Sequence, residues 1–181
     1  MRMIAQLIIS FIFLLQNPKT QDLGPVQLDW QVHYRAKGDE TSPYLALTAM
    51  IFRYSYQSSV KGRNLSLSFK FEVDVDRNKS WKKLYRIRTK EAQDHLLHHE
   101  QGHVNINYLQ MREAEKLLTS RRYSVSTHRE EIKKVADKVI RDFDEMQKLY
   151  DLETKHGMDR NAQAKWDLFI GNALKEVMQT P

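Results

Sequence analysis

The spacing of the apolar residues changes once along this chain, near residue 90. Over residues 64–76 apolar side chains alternate strictly with polar ones, which is the pattern of a β-strand with one buried face. Residues 44–56 show a weaker alternation and predict a preceding strand, with residues 58–62 as the hairpin loop. Shorter strand candidates are residues 29–34 and 83–89. This half of the chain therefore predicts a small, mostly antiparallel sheet over about residues 28–90.

Beyond residue 90 the apolar residues recur every three or four positions, which is the period of an amphipathic α-helix. Residues 90–119 and 127–155 predict two long helices with a break at residues 124–127, and residues 158–178 predict a shorter third helix. Strands that precede helices in this way are typical of the α+β class. We expect a small sheet followed by three helices, in one domain over residues 21–181.

The composition limits the kinds of site that the chain can build. Its 181 residues include no cysteine, which excludes disulfides, thiolate metal sites, iron–sulfur clusters and a cysteine nucleophile. Any metal must therefore be bound by His, Asp or Glu. The net charge is +6, but most basic residues lie among acidic ones on the same segments, as on a solvated helix surface. We therefore expect no nucleic-acid partner.

The first 20 residues differ in character from the rest of the chain. Arg2 precedes a nearly uninterrupted apolar run over residues 3–15, which is shorter than the roughly 20 residues of a membrane-spanning helix. Such a run is typical of a secretory signal, although its cleavage site is poor. We expect residues 1–20 to be a signal peptide or an N-terminal anchor. The protein would then be secreted or periplasmic, with no membrane span in the mature chain.

Residues 99–103 read His-Glu-Gln-Gly-His, an H-E-x-x-H motif inside the first predicted long helix. His99 and His103 lie one turn apart on the same helix face, so both imidazoles can bind one ion. Zinc accepts neutral imidazole nitrogen at about 2.0–2.1 Å. Glu100 is rotated by about 100° from His99, beside the metal, where it can act as general base towards a metal-activated water. The motif predicts a zinc site with His99 and His103 as ligands and Glu100 as the catalytic residue.

The helix geometry also predicts roles for two residues in or near the motif, His95 and Gly102. His95 lies on the same face, but three imidazoles at four-residue spacing extend over about 12 Å of helix axis, too far for one ion. We expect His95 to have a second-shell or surface role. Gly102 has no side chain, so another segment can approach the helix closely at that point.

The third zinc ligand has to come from another element, because the sequence after His103 lacks the Gly and the His of the metzincin extension. The end of the second long helix offers Asp151, Glu153 and His156. Helical geometry favours Glu153, which lies near the apolar stripe, whereas Asp151 is rotated off it. The helix can unwind at Gly157 and turn His156 inward. Geometry alone leaves the choice open.

Several of these features together are quite specific to one bacterial family. They are Asp29-Trp30, Ser80-Trp81, the H-E-Q-G-H core, the Y-D-x-x-T-x-H-G segment at residues 150–157, Gln163 and Trp166. Over roughly residues 28–170 the chain resembles an uncharacterised family, catalogued among domains of unknown function and described as predicted secreted zinc-dependent proteases. The Val-His-Tyr at residues 32–34 departs from a more usual Phe-containing stretch, away from the presumed metal site.

The resemblance implies a zincin-like fold with the H-E-x-x-H motif on the first long helix, and a metallopeptidase of gluzincin or aspzincin type. It implies zinc bound by His99 and His103, and it favours His156 as the third ligand, with Asp151 next and Glu153 lower. The expected function is an exported zinc-dependent peptidase whose peptide or protein substrate lies extended along the sheet edge. Tyr150 would stabilise the oxyanion if its hydroxyl reached the metal.

Two other functions are compatible with the sequence. One is a non-catalytic envelope binding module with a structural metal or with none. The other is a zinc amidase that acts on cell-wall crosslinks. Metal content separates the first alternative from the peptidase, since the enzyme should bind about one zinc ion per chain. The sequence leaves the substrate side chains and the oligomeric state open.

Overall fold

A computed structural model describes residues 24–179 of the protein. The predicted signal peptide or anchor, residues 1–20, lies outside the described residues. Between residues 24 and 179, no helix combines the length and the apolar character needed to cross a membrane. This part of the chain contains four helices and two small antiparallel sheets, which confirms the predicted α+β class.

The strands form two separate pairs rather than one sheet. They are β1 (Ala46–Leu47), β2 (Met50–Lys61), β3 (Asn64–Val75) and β4 (Trp81–Lys82). β2 and β3 form a long hairpin whose last pair is Lys61 and Asn64, so the turn is shorter than the predicted loop. Gly62 starts this two-residue turn with a φ of 61°, a conformation that glycine adopts without strain. β1 pairs with β4, so the predicted strand 44–56 is divided into two strands in different sheets.

The helices are α1 (Trp30–His33), α2 (Lys90–Thr119), α3 (His128–Thr154) and α4 (Arg160–Gln179). The three long helices begin and end within two residues of the predicted ranges. α2 begins after Thr89, whose side chain accepts a hydrogen bond from the backbone N–H of Ala92. α3 ends where Lys155 takes the left-handed conformation.

Two of the predicted strands are wrong. Residues 29–34 instead contain the single-turn helix α1, because the Asp29 carboxylate accepts hydrogen bonds from the backbone N–H groups of Gln31 and Val32. Residues 83–89 contain a 3-10 turn at Leu84–Arg86, and strand pairing is confined to β4 before it. In both segments the apolar alternation covers too few residues to outweigh local turn chemistry.

Helix α2 contributes to three apolar clusters of the core. The apolar face of the β2–β3 hairpin packs on α2 and α3, around Ala114, Leu118, Ile132, Val135, Ala136 and Val139. A second cluster joins α2, α3 and α4 through Ile106, Leu109, Tyr150, Trp166 and Ile170. A third cluster of Trp30, Tyr34 and Ala46 contacts Leu96 and Leu97 of α2. Along α2, residues 99–103 therefore lie between the third and the second cluster.

Candidate metal centre

Three side chains from two helices converge at one point. His99 and His103 come from α2, and Asp151 comes from the last turn of α3. Asp151 Oδ1 lies 3.1 Å from His99 Nε2 and 3.0 Å from His103 Nε2. One donor atom of each residue lies within 4.8 Å of the others, so this His-His-Asp group could hold a metal ion.

The other ring nitrogen of each histidine is held by a glutamine. His99 Nδ1 lies 3.1 Å from Gln163 Oε1, and His103 Nδ1 lies 2.6 Å from Gln147 Oε1. The hydrogen bonds of the amide nitrogens show which end of each amide is the oxygen. Gln163 Nε2 donates to Asp167, and Gln147 Nε2 donates to the His103 carbonyl. An amide oxygen only accepts, so each Nδ1 is the protonated nitrogen. In the neutral imidazoles both Nε2 lone pairs therefore face the shared centre, as in histidines that bind metals.

The charges at this centre favour a proton or a cation between the three groups. Burial by itself would raise the pKa of Asp151, but hydrogen bonds that protonated His103 and His99 donate through Nε2 hold that pKa well below its ordinary value. Burial by itself would lower the pKa of His103, and the hydrogen bond to Asp151 together with the charge of Glu100 raises it instead. Two nitrogen lone pairs and a carboxylate at 3.0–3.1 Å repel one another unless a proton or a metal ion lies between them. A nitrogen and oxygen donor set of this kind fits a divalent transition metal such as zinc.

Glu100 lies beside this group, and its carboxylate accepts a hydrogen bond from a buried side chain. Glu100 is 5% exposed, and the Thr48 hydroxyl donates a hydrogen bond of 2.5 Å to its Oε2. The Tyr34 hydroxyl lies 2.7 Å from Thr48 Oγ1. Thr48 has one hydroxyl proton and gives it to the carboxylate, so Tyr34 is the donor to Thr48. Burial and the charge of Glu100 raise the pKa of Tyr34, which keeps it a neutral donor. Nothing in the sequence pattern had singled out Thr48 or Tyr34 for this role.

Tyr150 packs the histidines against α4. It is fully buried, and its ring stacks on His99 with a centroid distance of 4.7 Å. Its hydroxyl donates to the His99 carbonyl at 3.0 Å and accepts from Gln163 at 2.7 Å. Tyr150 does not line the cleft into which the metal group opens, so the expectation that it stabilises an oxyanion is not met.

Two glycines allow the helices to approach this closely. A Cβ on Gly102 would lie 2.6 Å from Cζ of Tyr150, which confirms the close approach expected at Gly102. A Cβ on Gly157 would lie 2.8 Å from Cβ of His99. His95 donates a 2.6 Å hydrogen bond to the Gly157 carbonyl. This bond ties α2 to residues 155–157, whose φ angles of 50°, 54° and 80° are all left-handed.

The other two candidate ligands lie outside the convergent group. His156 Nδ1 is 3.2 Å from Asp151 Oδ1, and the His156 side chain is 42% exposed and packs on Tyr44. Metal ligation by His156 stays a prediction. Glu153 Oε2 accepts a 2.8 Å hydrogen bond from Trp166 Nε1 and is not part of the group.

The metal group opens onto a cleft of about 450 Å³. Its lining includes Glu100 and Asp151 as well as both histidines of the H-E-x-x-H motif. A catalytic metal site keeps one coordination position open to substrate, whereas a structural zinc site is closed by four protein ligands. Three convergent donors at the wall of a cleft match the open arrangement.

The family model described as "Bacterial protein of unknown function (DUF922)" matches residues 25–157 of the sequence. The match covers most of the chain, and the chain therefore belongs to this family. It includes the H-E-x-x-H motif and both Asp151 and His156. The expected membership of an uncharacterised bacterial family is confirmed, and the family description names neither a metal nor an activity. No curated protein and no solved structure matches the sequence.

Replacement of Gly102 by alanine tests the close packing behind the histidines. The new methyl group would overlap the Tyr150 ring, and overpacking of this kind costs about 1–3 kcal/mol of unfolding free energy. Gly171→Ala is the matched control, because no described atom lies within 4 Å of a Cβ at that helical position. It should stabilise the protein by about 0.5–1 kcal/mol. Urea unfolding measures both changes, and a Gly102→Ala variant as stable as Gly171→Ala would contradict the packing argument.

Proposed function

We propose that this protein is an exported zinc-dependent peptidase. The observation that carries the proposal is the convergence of His99 Nε2, His103 Nε2 and Asp151 Oδ1 beside the buried carboxylate of Glu100. The export part of the proposal rests on the apolar run of residues 3–15. The H-E-x-x-H helix α2, packed beside the short strand β1, supports a zincin-like arrangement.

His99, His103 and Asp151 are the proposed metal ligands. Zinc held there would polarise the scissile carbonyl and activate a water molecule for attack. The glutamine partners of the histidines keep both Nε2 atoms unprotonated and fix the planes of the rings. In this proposal His156 orients the Asp151 carboxylate, from which its Nδ1 is 3.2 Å away, rather than binding the metal itself.

Glu100 is the proposed general base. It accepts the proton of the attacking water and then delivers that proton to the leaving amine. The Thr48 hydroxyl donates to Oε2 and fixes the carboxylate plane, and no side chain of residues 24–179 donates to Oε1, which is available for the proton transfer. Tyr34 in turn fixes the Thr48 hydroxyl, so the base is held by two neutral donors in series.

The edge strand β1 supports a peptide as the substrate. Lys83 N–H donates to the Leu45 carbonyl at 2.7 Å, so the N–H and C=O of the next residue, Ala46, are directed away from β4. Within residues 24–179 no further strand pairs with β1 on that side. An extended peptide can therefore add to β1 by main-chain hydrogen bonds, next to Thr48 and Glu100.

Replacement of Glu100 by glutamine tests the proposed reaction. The amide cannot accept the proton, so kcat should fall by about 100- to 10,000-fold while about one zinc ion per chain is retained. Glu91→Gln is the control on the same helix, since the Glu91 side chain is 77% exposed, and it should keep both zinc and activity. Zinc content and cleavage of a peptide library measure the two effects. Undiminished hydrolysis by Glu100→Gln would remove Glu100 from the reaction.

Three alanine variants separate the candidate third ligands. Asp151→Ala should weaken zinc binding by more than about 100-fold, because it removes a proposed ligand. His156→Ala should weaken it by about 10-fold, as expected for a residue that orients a ligand. Glu153→Ala should leave zinc binding unchanged, since Glu153 is bonded to Trp166. Competition with a chelator gives the affinities, and a larger loss in His156→Ala than in Asp151→Ala would make His156 the ligand.

Replacement of Thr48 by valine tests the hydrogen bond that positions the Glu100 carboxylate. Valine keeps the shape of threonine but leaves the buried Glu100 Oε2 without its hydroxyl donor. We expect unchanged zinc content and unchanged KM, with kcat lower by about 10-fold. Thr48→Ser retains the hydroxyl and should recover most of the lost activity. If the serine and valine variants are equally impaired, the hydroxyl does not position the base.

A further inference from the structure

The cleft beside the metal group has two chemically different parts. One end is formed by the metal group, Glu100 and their hydrogen-bond partners. The remainder is lined mainly by apolar side chains, which include Pro43, Leu45, Leu47, Met50, Leu96 and Met158. A volume of about 450 Å³ lies within the usual range of ligand pockets. The apolar part can therefore take up a large side chain.

The charges around the cleft disfavour polar occupants. Among the described residues that line it there is no lysine or arginine, so an acidic side chain would find no permanently charged side chain of opposite sign in the apolar part. A basic side chain would find carboxylates only at the metal end, where Glu100 and Asp151 already have Thr48 and the two histidines as partners. Transfer of an apolar side chain from water into such a cleft is favourable in proportion to the area buried.

The main chain of β1 beside the cleft determines how the side chains of a bound peptide would be directed. Ala46 lines the cleft, and its N–H and C=O are directed away from β4. A peptide that pairs with this edge has alternate side chains on opposite faces, so every second one can point towards the cleft. Because Thr48 and Glu100 are in contact at the end of β1, the side chain in the cleft is adjacent to the reacting bond.

We infer that the cleft selects peptides with a large apolar side chain, such as Leu, Phe or Met, next to the bond that is cleaved. The inference rests on the proposed function, since it assumes that the bond at the metal group is a peptide bond. It adds a substrate class that the motif and the metal group do not define.

Fluorogenic peptides that differ only in the residues flanking the cleaved bond test this inference on the zinc-loaded protein. With Leu or Phe beside the bond, kcat/KM should exceed that of the alanine peptide by about 10- to 100-fold. Asp at the same position should fall below alanine. Equal rates across the series, or a preference for a charged side chain, would overturn the inference.

Binding of the same peptides to zinc-loaded Glu100→Gln separates this inference from the proposed function. If the parent protein cleaves no peptide but the variant binds the Leu and Phe peptides most tightly, the peptidase proposal fails and the apolar selectivity of the cleft stands. If the peptides are neither cleaved nor bound, both fail.

A charged residue placed in the cleft should change the preference. Met158 lines the cleft and is 77% exposed, so Met158→Lys should fold normally. We expect it to lower kcat/KM for the Leu peptide by about 10-fold and to raise it for the Asp peptide. Leu168→Lys is the matched control, because Leu168 is 68% exposed on α4 outside the cleft, and it should leave both rates unchanged. Identical profiles for the two variants would exclude Met158 and its part of the cleft from substrate selection.

Discussion

The candidate metal centre depends on three hydrogen-bond acceptors that are held close together despite their mutual repulsion. Each of the two imidazole nitrogens lies 3.0–3.1 Å from one carboxylate oxygen, and only a cation or a shared proton makes that separation favourable. The packing behind them supplies the restraint. Tyr150 is fully buried against His99 and bonds to its carbonyl, and Gly102 gives Tyr150 the room to do so. The packing of α2, α3 and α4 therefore brings the three donor groups together.

The strands provide the second half of the site. β1 is only two residues long, yet Thr48 directly after it bonds to Glu100 on α2. The third apolar cluster, around Trp30 and Tyr34, packs β1 and α1 onto the same helix. The candidate base, its hydrogen-bond donors and the open strand edge thus belong to one packed unit. A shift of β1 relative to α2 would disturb all three together.

The sequence predicted the helices better than the strands, and the reason is the number of residues that each pattern covers. α2 and α3 carry many turns of apolar periodicity, so their ranges are nearly correct, and the H-E-x-x-H spacing located His99, Glu100 and His103. β1 and β4 are too short to show a period, and one Asp29 cap converts a predicted strand into α1. Asp151 was among the candidates, but helical geometry ranked it low because the close approach at Tyr150 and Gly102 cannot be read from one helix alone. Thr48 lies in no motif.

The glutamine that orients His99 comes from α4, the last helix described. Gln163 lies 64 residues after His99, so a chain that emerges from its N-terminal end presents both histidines of α2 before Gln163. The imidazole of His99 acquires its fixed tautomer only after α4 has docked on Tyr150. Under the proposed function, metal loading is therefore coupled to the docking of α4, and a chain without α4 lacks the completed centre.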